Sequence, residues 1–197
     1  MFSTDRHQFG FAKKLILCAK QLFDSFFIDT TMADIQIFPP QSAEDFAEVR
    51  SLFSEYFTYL FALPNMSQYI DPLQSPFDEL NELQSGKYAP PEGCILMAIF
   101  ENKPIGVVAL RKFGNESCEM KRLYVRPILR GQNIGQKLAQ AIIEKAYQLG
   151  YRTLLLDTHG EMKKAHRLYE SFGFKYIDRY NDNPVPDALF MELKLKE

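Results

Sequence analysis

The sequence predicts one α/β domain on a mixed sheet of about seven strands flanked by about four helices, and three observations carry that expectation. Apolar stretches separated by turn residues fill Cys94 to Val125, which is the pattern of a meander. A helical repeat and a short apolar stretch then follow between Ile134 and Thr158, giving the order strand, helix, strand of a parallel crossover. Beyond them a last helical stretch leads into two more strand-like runs, so strands and helices are mixed along the chain. The length of 197 residues fits one such core and is too short for two ordinary ones.

The elements follow in order. Ile35 and Ile37, halted by Pro39 and Pro40, predict a short first strand. Ser42 is placed to cap a helix from Ala43 to about Tyr59, with Asp45 closing a capping box, and Phe46, Val49, Leu52, Phe53, Tyr56 and Leu60 recur at three- and four-residue spacing. Between Ala62 and Gly93 five prolines break the pattern, leaving a short helix near Phe77 to Leu83. Cys94 to Phe100 is a continuous apolar strand, Glu101 to Pro104 its hairpin turn, and Ile105 to Leu110 the partner. Gly114 and Asn115 make the next turn, and Cys118 to Val125 is the third strand, stopped by Pro127. Ile134, Leu138, Ile142, Ala146 and Leu149 form one helical face that Gly150 ends. Thr153 to Thr158 reads as a buried strand of parallel type. A helix over about Met162 to Phe172 stops at Gly173, and strands Lys175 to Tyr180 and Leu189 to Leu195 enclose the loop Asn181 to Pro186.

Composition narrows the function. A net charge of -2 gives no general attraction to phosphate backbones, which argues against a nucleic-acid partner. Cys18, Cys94 and Cys118 lack CxxC spacing and read as reduced thiols of a cytoplasmic protein. His7, His159 and His166 have no zinc-ligand spacing, so no metal is expected. No stretch is long and apolar enough to span a bilayer. Residues 1–31 are read as an extension to a domain over 32–197. Leu15, Ile16, Ala19, Leu22, Phe23, Phe26 and Phe27 form a helical stripe there, which fits either a surface-binding amphipathic helix or a leader upstream of Met32. The leader is preferred, because Met32 to Phe38 reads as the opening of a first strand.

The stretch LRGQNIGQKL, Leu129 to Leu138, opens a helix directly after a strand with two glycines and no acidic residue in its first turn. Helix N-termini present unpaired N–H groups and the positive end of the dipole, and glycine lets an anion approach them. Taken alone, a GxxxG turn is explained as readily by close packing.

Together, YVRPILRGQNIGQKL and, after the next strand, AHRLYESFGF resemble the GCN5-related N-acetyltransferases (GNAT), from about Cys94 to the C-terminus. The resemblance implies the acyl-CoA N-acyltransferase fold, acetyl-CoA as co-substrate, and transfer of acetyl to a primary amine of a small molecule or peptide in a ternary complex. It assigns Arg130, Gly131, Gln132, Asn133, Ile134, Gly135 and Gln136 to the pyrophosphate, and Leu123, Tyr124 and Val125 to the pantetheine arm. Lys163, Lys164 and Arg167 become candidates for the 3′-phosphate, Lys164 foremost. Two departures stand out: Asn133 replaces the first motif glycine, and Met162 replaces an asparagine found in many members. Asparagine tolerates the left-handed backbone best among the alternatives to glycine.

Acetyl transfer from a thioester needs a neutral amine, an oxyanion site and a proton for the leaving thiolate. Deprotonating a lysine-like amine at pH 7 costs about 4–5 kcal/mol. By the resemblance Tyr169 is the acid, also placed to be a core aromatic, and Asp157 the base, also placed to end its strand. Glu119 is the rival base, sharing a face with Leu123 and Val125 by alternation, or else is paired with Lys121 or Arg122. The acids Asp157, Glu119, Asp71 and Asp78 suggest a cationic acceptor. A CoA-binding sensor without turnover is the other reading. A homodimer is compatible with the sequence and not demanded by it. A P-loop is not supported, since no Gly-Lys-Ser/Thr follows the turn.

Overall fold

The structure, a computed structural model, describes residues 35–64, 66–69 and 80–195. The extension at 1–31 and residues 77–79 of the helix expected over Phe77 to Leu83 therefore lie outside the described residues, as do Asp71 and Asp78; of the rest, Leu80 and Asn81 are helical and Leu83 lies in a turn, so the helix ends earlier than expected. Residues 35–197 form one compact unit on a seven-stranded sheet.

The strands are β1 (Gln36–Phe38), β2 (Cys94–Phe100), β3 (Lys103–Lys112), β4 (Ser117–Val125), β5 (Thr153–His159), β6 (Lys175–Ile177) and β7 (Ala188–Lys194), in the order β1-β2-β3-β4-β5-β7-β6. All neighbours are antiparallel except β4 and β5, which the crossover makes parallel. Among the described residues three α-helices are complete: α1 (Ala43–Phe61), α2 (Ile134–Gln148) and α3 (Lys163–Ser171). Ser42 caps α1 in the expected box with Asp45. The β2–β3 turn holds Glu101 and Asn102 at φ 49° and 59°, the two left-handed residues that let a tight hairpin follow the strand twist. β6 is shorter than expected, because the chain from Asp178 leaves the sheet to build the wall described below.

Two cores sandwich the sheet. Leu138, Ile142 and Ala146 of α2 and Tyr169 of α3 pack on one face with Val108, Leu110, Leu154 and Leu156. Val49, Leu52, Phe53 and Leu60 of α1 cover the other with Met97, Val107 and Ala109. At about 25 cal/mol per Å² of apolar surface removed from water, these two layers supply the main folding drive.

Two irregularities shape what lies between. Along β3, Val107 pairs with Tyr124 and Ala109 with Lys121, so β4 holds one residue more than its partner; Arg122, at φ 59°, takes up the excess as a β-bulge. The bulge inverts the alternation. Cys118 and Met120 before it and Leu123 and Val125 after it all meet the α2 core, whereas Glu119 and Lys121 point to the opposite face. Glu119 therefore does not share a face with Leu123 and Val125, as strict alternation had suggested. The second irregularity is that β4 and β5 pair only over Ser117–Glu119 and Thr153–Leu155. Beyond that point they splay.

Candidate active site

The splay opens a cleft of about 930 Å³ between the C-terminal ends of β4 and β5, closed by α1, the N-termini of α2 and α3, and the loop before β7. Its two halves are built differently.

The first half is mostly backbone. α2 starts at Asn133, in the left-handed conformation at φ 59°, with no side-chain cap and no acid in its first turn. Asparagine thus adopts the backbone that the motif glycine would have supplied. The protein leaves space in front of this turn: a Cβ added at Gly135 would meet nothing closer than 3.9 Å, so internal packing does not require glycine there. α3 also begins without a side-chain cap, and Lys163, Lys164 and Arg167 line the cleft beside it. Lysines at a helix N-terminus oppose the dipole, an arrangement that an incoming anion reverses. These features fit a multiply charged phosphate ligand. Leu123, Tyr124, Val125, Gly131, Ile134 and Gln136 are on the same wall, whereas Gln132 is not. Arg130 is on the wall too, but its side chain turns toward α1: Nε donates to the Val125 carbonyl at 3.1 Å, and the guanidinium lies 5.2 Å from the Tyr59 ring and 5.9 Å from Tyr124.

The second half is made of side chains. Asp157 lies on its wall, while Glu119 is fully buried behind it and absent from the lining. Glu119 is held by Arg111 Nε at 2.5 Å, Lys121 Nζ at 3.2 Å, Tyr180 OH at 2.7 Å and Asn181 Nδ2 at 3.1 Å. A carboxylate so enclosed anchors the loop and is a poor choice of base. Lys121 Nζ also reaches Asp157 Oδ1 at 2.6 Å, and Asn181 and Asn183 donate to Asp157 Oδ2 at 3.1 and 2.9 Å. Burial raises the Asp157 carboxyl, but the charge and hydrogen bond of Lys121 with those of the two asparagines outweigh it, so its pKa falls below the ordinary value.

Tyr169 joins the halves. It is buried in the α2 core yet lines the cleft, and burial, then Tyr56 and Asp157 nearby, push its phenol well above the usual tyrosine range. It is therefore protonated at any neutral pH, and more reluctant to part with its proton than a free phenol. Across the cleft, Arg126 makes a bidentate pair with Glu55 at 2.8–3.2 Å and donates to the Pro104 carbonyl, fixing α1 against the end of β4; Tyr124 OH donates to the same glutamate.

Sequence reasoning missed Asn181, Asn183, Tyr180 and His159. The asparagines carried a usable signal, since both precede Pro184 in a turn-forming run and both make Asx-type bonds, Asn183 N to Asn181 Oδ1 and Val185 N to Asn183 Oδ1. Of the two partners expected for Glu119, Lys121 meets it, while the bulge carries the Arg122 guanidinium over Phe57 and Tyr56 at 4.9 and 5.6 Å. Met162 caps nothing by its side chain; its sulfur accepts from Thr158 Oγ1 at 3.6 Å. Among the described residues no helix is long and apolar enough to cross a membrane.

Comparison with known proteins gives the following. Residues 46–174 match the acetyltransferase (GNAT) family. The chain is 40% identical over 161 residues to an uncharacterized N-acetyltransferase of Schizosaccharomyces pombe, covering 80% of this chain and 91% of that protein. It is 30% identical over 126 residues to N-acetylaspartate synthetase of Xenopus tropicalis, covering 59% of this chain and 46% of that one. A Salmonella typhimurium structure solved with acetyl-CoA as its cofactor superposes with a TM-score of 0.66 at 18% identity, over 83% of this chain and 95% of that one, and so agrees in fold.

Proposed function

Because this chain belongs to the acetyltransferase (GNAT) family, and is an acetyl-CoA-dependent acyltransferase, we propose that its cleft transfers acetyl directly to a primary amine bound beside Asp157. The observation that carries this reading is the meeting of two uncapped helix N-termini with the splayed ends of β4 and β5 at one cleft that also holds Tyr169 and Asp157.

In this reading the main chain of residues 130–136 holds the pyrophosphate, and Lys164, with Lys163 and Arg167 beside it, meets the 3′-phosphate. Leu123 to Val125 offer backbone groups that β5 no longer engages, placed to pair with the extended arm. Acetyl-CoA supplies an activated acyl group and a thiolate leaving group. The amine nitrogen forms the new C–N bond as the C–S bond breaks, loses one proton and becomes an amide, while the sulfur gains one proton.

Tyr169 is the group that hands the sulfur its proton. With its pKa raised, giving up a proton to a leaving thiolate, whose thiol has a pKa near about 8.5, is uphill unless the phenol is refilled as it donates. The nitrogen, acidic once bonded to the acyl carbon, is the matching source. Asp157 is too weak a base to strip an ammonium by itself; its charge favours the positive nitrogen at the transition state, and Lys121 and Asn183 order the path by which the proton leaves.

The test is acetyl-CoA with a panel of amines, read by free thiol. Thiol release dependent on an amine, abolished by Tyr169→Phe, is expected. Thermal stabilisation by acetyl-CoA with no thiol release from any amine would leave only a CoA-binding module.

A further inference from the structure

The faces of β5 divide the cleft between the two cores. Leu154 and Leu156 pack into the core under α2, so by alternation Asp157 and His159 point toward the α1 side. Ala188 of β7 pairs with His159 and lies on that same face. Val185 is tied to the spot by one side-chain amide: Asn183 Nδ2 donates to Asp157 Oδ2 at 2.9 Å, and Asn183 Oδ1 accepts the Val185 backbone N–H at 3.0 Å. A carboxylate and an apolar side chain are thus fixed side by side.

Around them the α1-side core reaches the cleft. Leu60, Met66 and Val185 are buried members of it, Tyr56, Met162 and Ala188 are half-buried against it, and all six line the cleft. The half-buried three leave carbon surface on the wall, and covering such surface is favourable in proportion to its area. Among the described residues that line the cleft the acids are Asp157 and Glu161, and Glu161 stands beside Lys163 and Lys164 at the start of α3. Glu119 is sealed behind the wall. Of the cations on this side, Lys121 pairs with Glu119 and Asp157, and Arg122 lies over the rings of Phe57 and Tyr56.

We propose that the acceptor is a monocationic primary amine with an aliphatic or aromatic skeleton, its nitrogen at Asp157 and its carbon chain on the wall of Tyr56, Leu60, Met66, Met162, Val185 and Ala188. This rests on the acetyl-transfer reading and gives it a substrate class. Asp157 Oδ1 accepts Lys121 Nζ at 2.6 Å, and a carboxylate oxygen has room for a second donor, here the amine N–H. A charge at the far end of the chain would have to shed its water against carbon.

The test uses acceptors of graded length on the full chain: propylamine, butylamine and pentylamine, with putrescine and γ-aminobutyrate as the counterparts charged at the far end. With saturating acetyl-CoA, kcat/KM should rise about threefold per added methylene, the gain expected of burying one such group. Pentylamine should exceed putrescine and γ-aminobutyrate by about tenfold or more. Val185→Thr, which keeps the shape and adds a hydroxyl, should flatten the rise with chain length, mainly through KM of the amine. Should that variant fail to fold, Ala188→Leu fills the wall and should cut turnover of pentylamine more than that of propylamine. A flat series, or equal or better turnover of putrescine or γ-aminobutyrate, would overturn the proposal while leaving acetyl transfer intact. A binding arm separates the two ideas: with CoA present, pentylamine should raise Tm more than putrescine or γ-aminobutyrate, and no difference or the reverse order overturns the inference. Absence of thiol release from every acceptor would instead count against acetyl transfer, with the binding arm still deciding the preference for an apolar chain.

Discussion

The two halves of the cleft solve the same problem with different materials. The half proposed to take the cofactor presents main-chain N–H groups at two uncapped helix ends. The acceptor half relies on a closed set of side chains from β3, β4, β5 and the loop at 180–183, in which two acids, two bases, a tyrosine and two asparagines satisfy one another. A backbone cradle is generic and tolerates an asparagine for a glycine. A side-chain network is specific, and removing any member leaves a buried polar group without its partner.

The largest expected effect falls where the halves meet. Tyr169→Phe should lower kcat by about 10²–10⁴ with little change in acetyl-CoA affinity, read by thiol release and by titration of the cofactor. Equal loss of both would move Tyr169 to the core alone. Next comes the network: Glu119→Ala strands Arg111 and should cost about 3–5 kcal/mol in urea unfolding. Asp157→Asn, on the wall, should instead lower kcat by about tenfold and cost less stability. If the two variants behave alike, the distinction between wall and anchor fails.

Two smaller effects sharpen the contrast. Asn133→Val forces a β-branched residue into a left-handed backbone, at a cost of about 1–2 kcal/mol, and should weaken acetyl-CoA binding without altering acceptor preference; Asn133→Gly should bind at least as well as the parent. pH separates Asp157 from the core thiols. Because the folded pKa of Asp157 is depressed, its contribution to stability is present above the unfolded value near about 3.9 and is lost as pH falls through the folded one. The stability gap between parent and Asp157→Asn should therefore be flat from neutral pH down to about pH 4 and close below it. The thiols run the other way. Burial raises Cys94 to about 11 and Cys118 to about 12, so their contribution is full below the unfolded value near about 8.5 and declines as pH rises toward those folded values. The smallest effect belongs to them: at pH 8 neither should be alkylated in the folded protein, and mass mapping after iodoacetamide would show it.

The legibility of the site followed this division. The strands of the meander, the crossover helix and the cradle were all readable, since each is a local pattern of apolar spacing, turn residues or missing acids. The face of Glu119 was misread, because one bulged residue at Arg122 reverses every later side chain and nothing in the run SCEMKRLYV announces it. The pairing of the acids was hidden for the same kind of reason: Glu119 and Asp157 are visible in a sequence, and their ion pairs with Arg111 and Lys121, 8 and 36 positions away, are not.

The sequence by itself determined the order of the elements, the crossover that makes β4 and β5 parallel, and the uncapped helix start that faces the cleft, because these depend on neighbours within a few residues. The tertiary structure alone decided which of Asp157 and Glu119 reaches the cleft and which is sealed behind it. Those outcomes depend on strand register and on one extra residue in β4, quantities set by the packing of distant segments and carried by no local pattern.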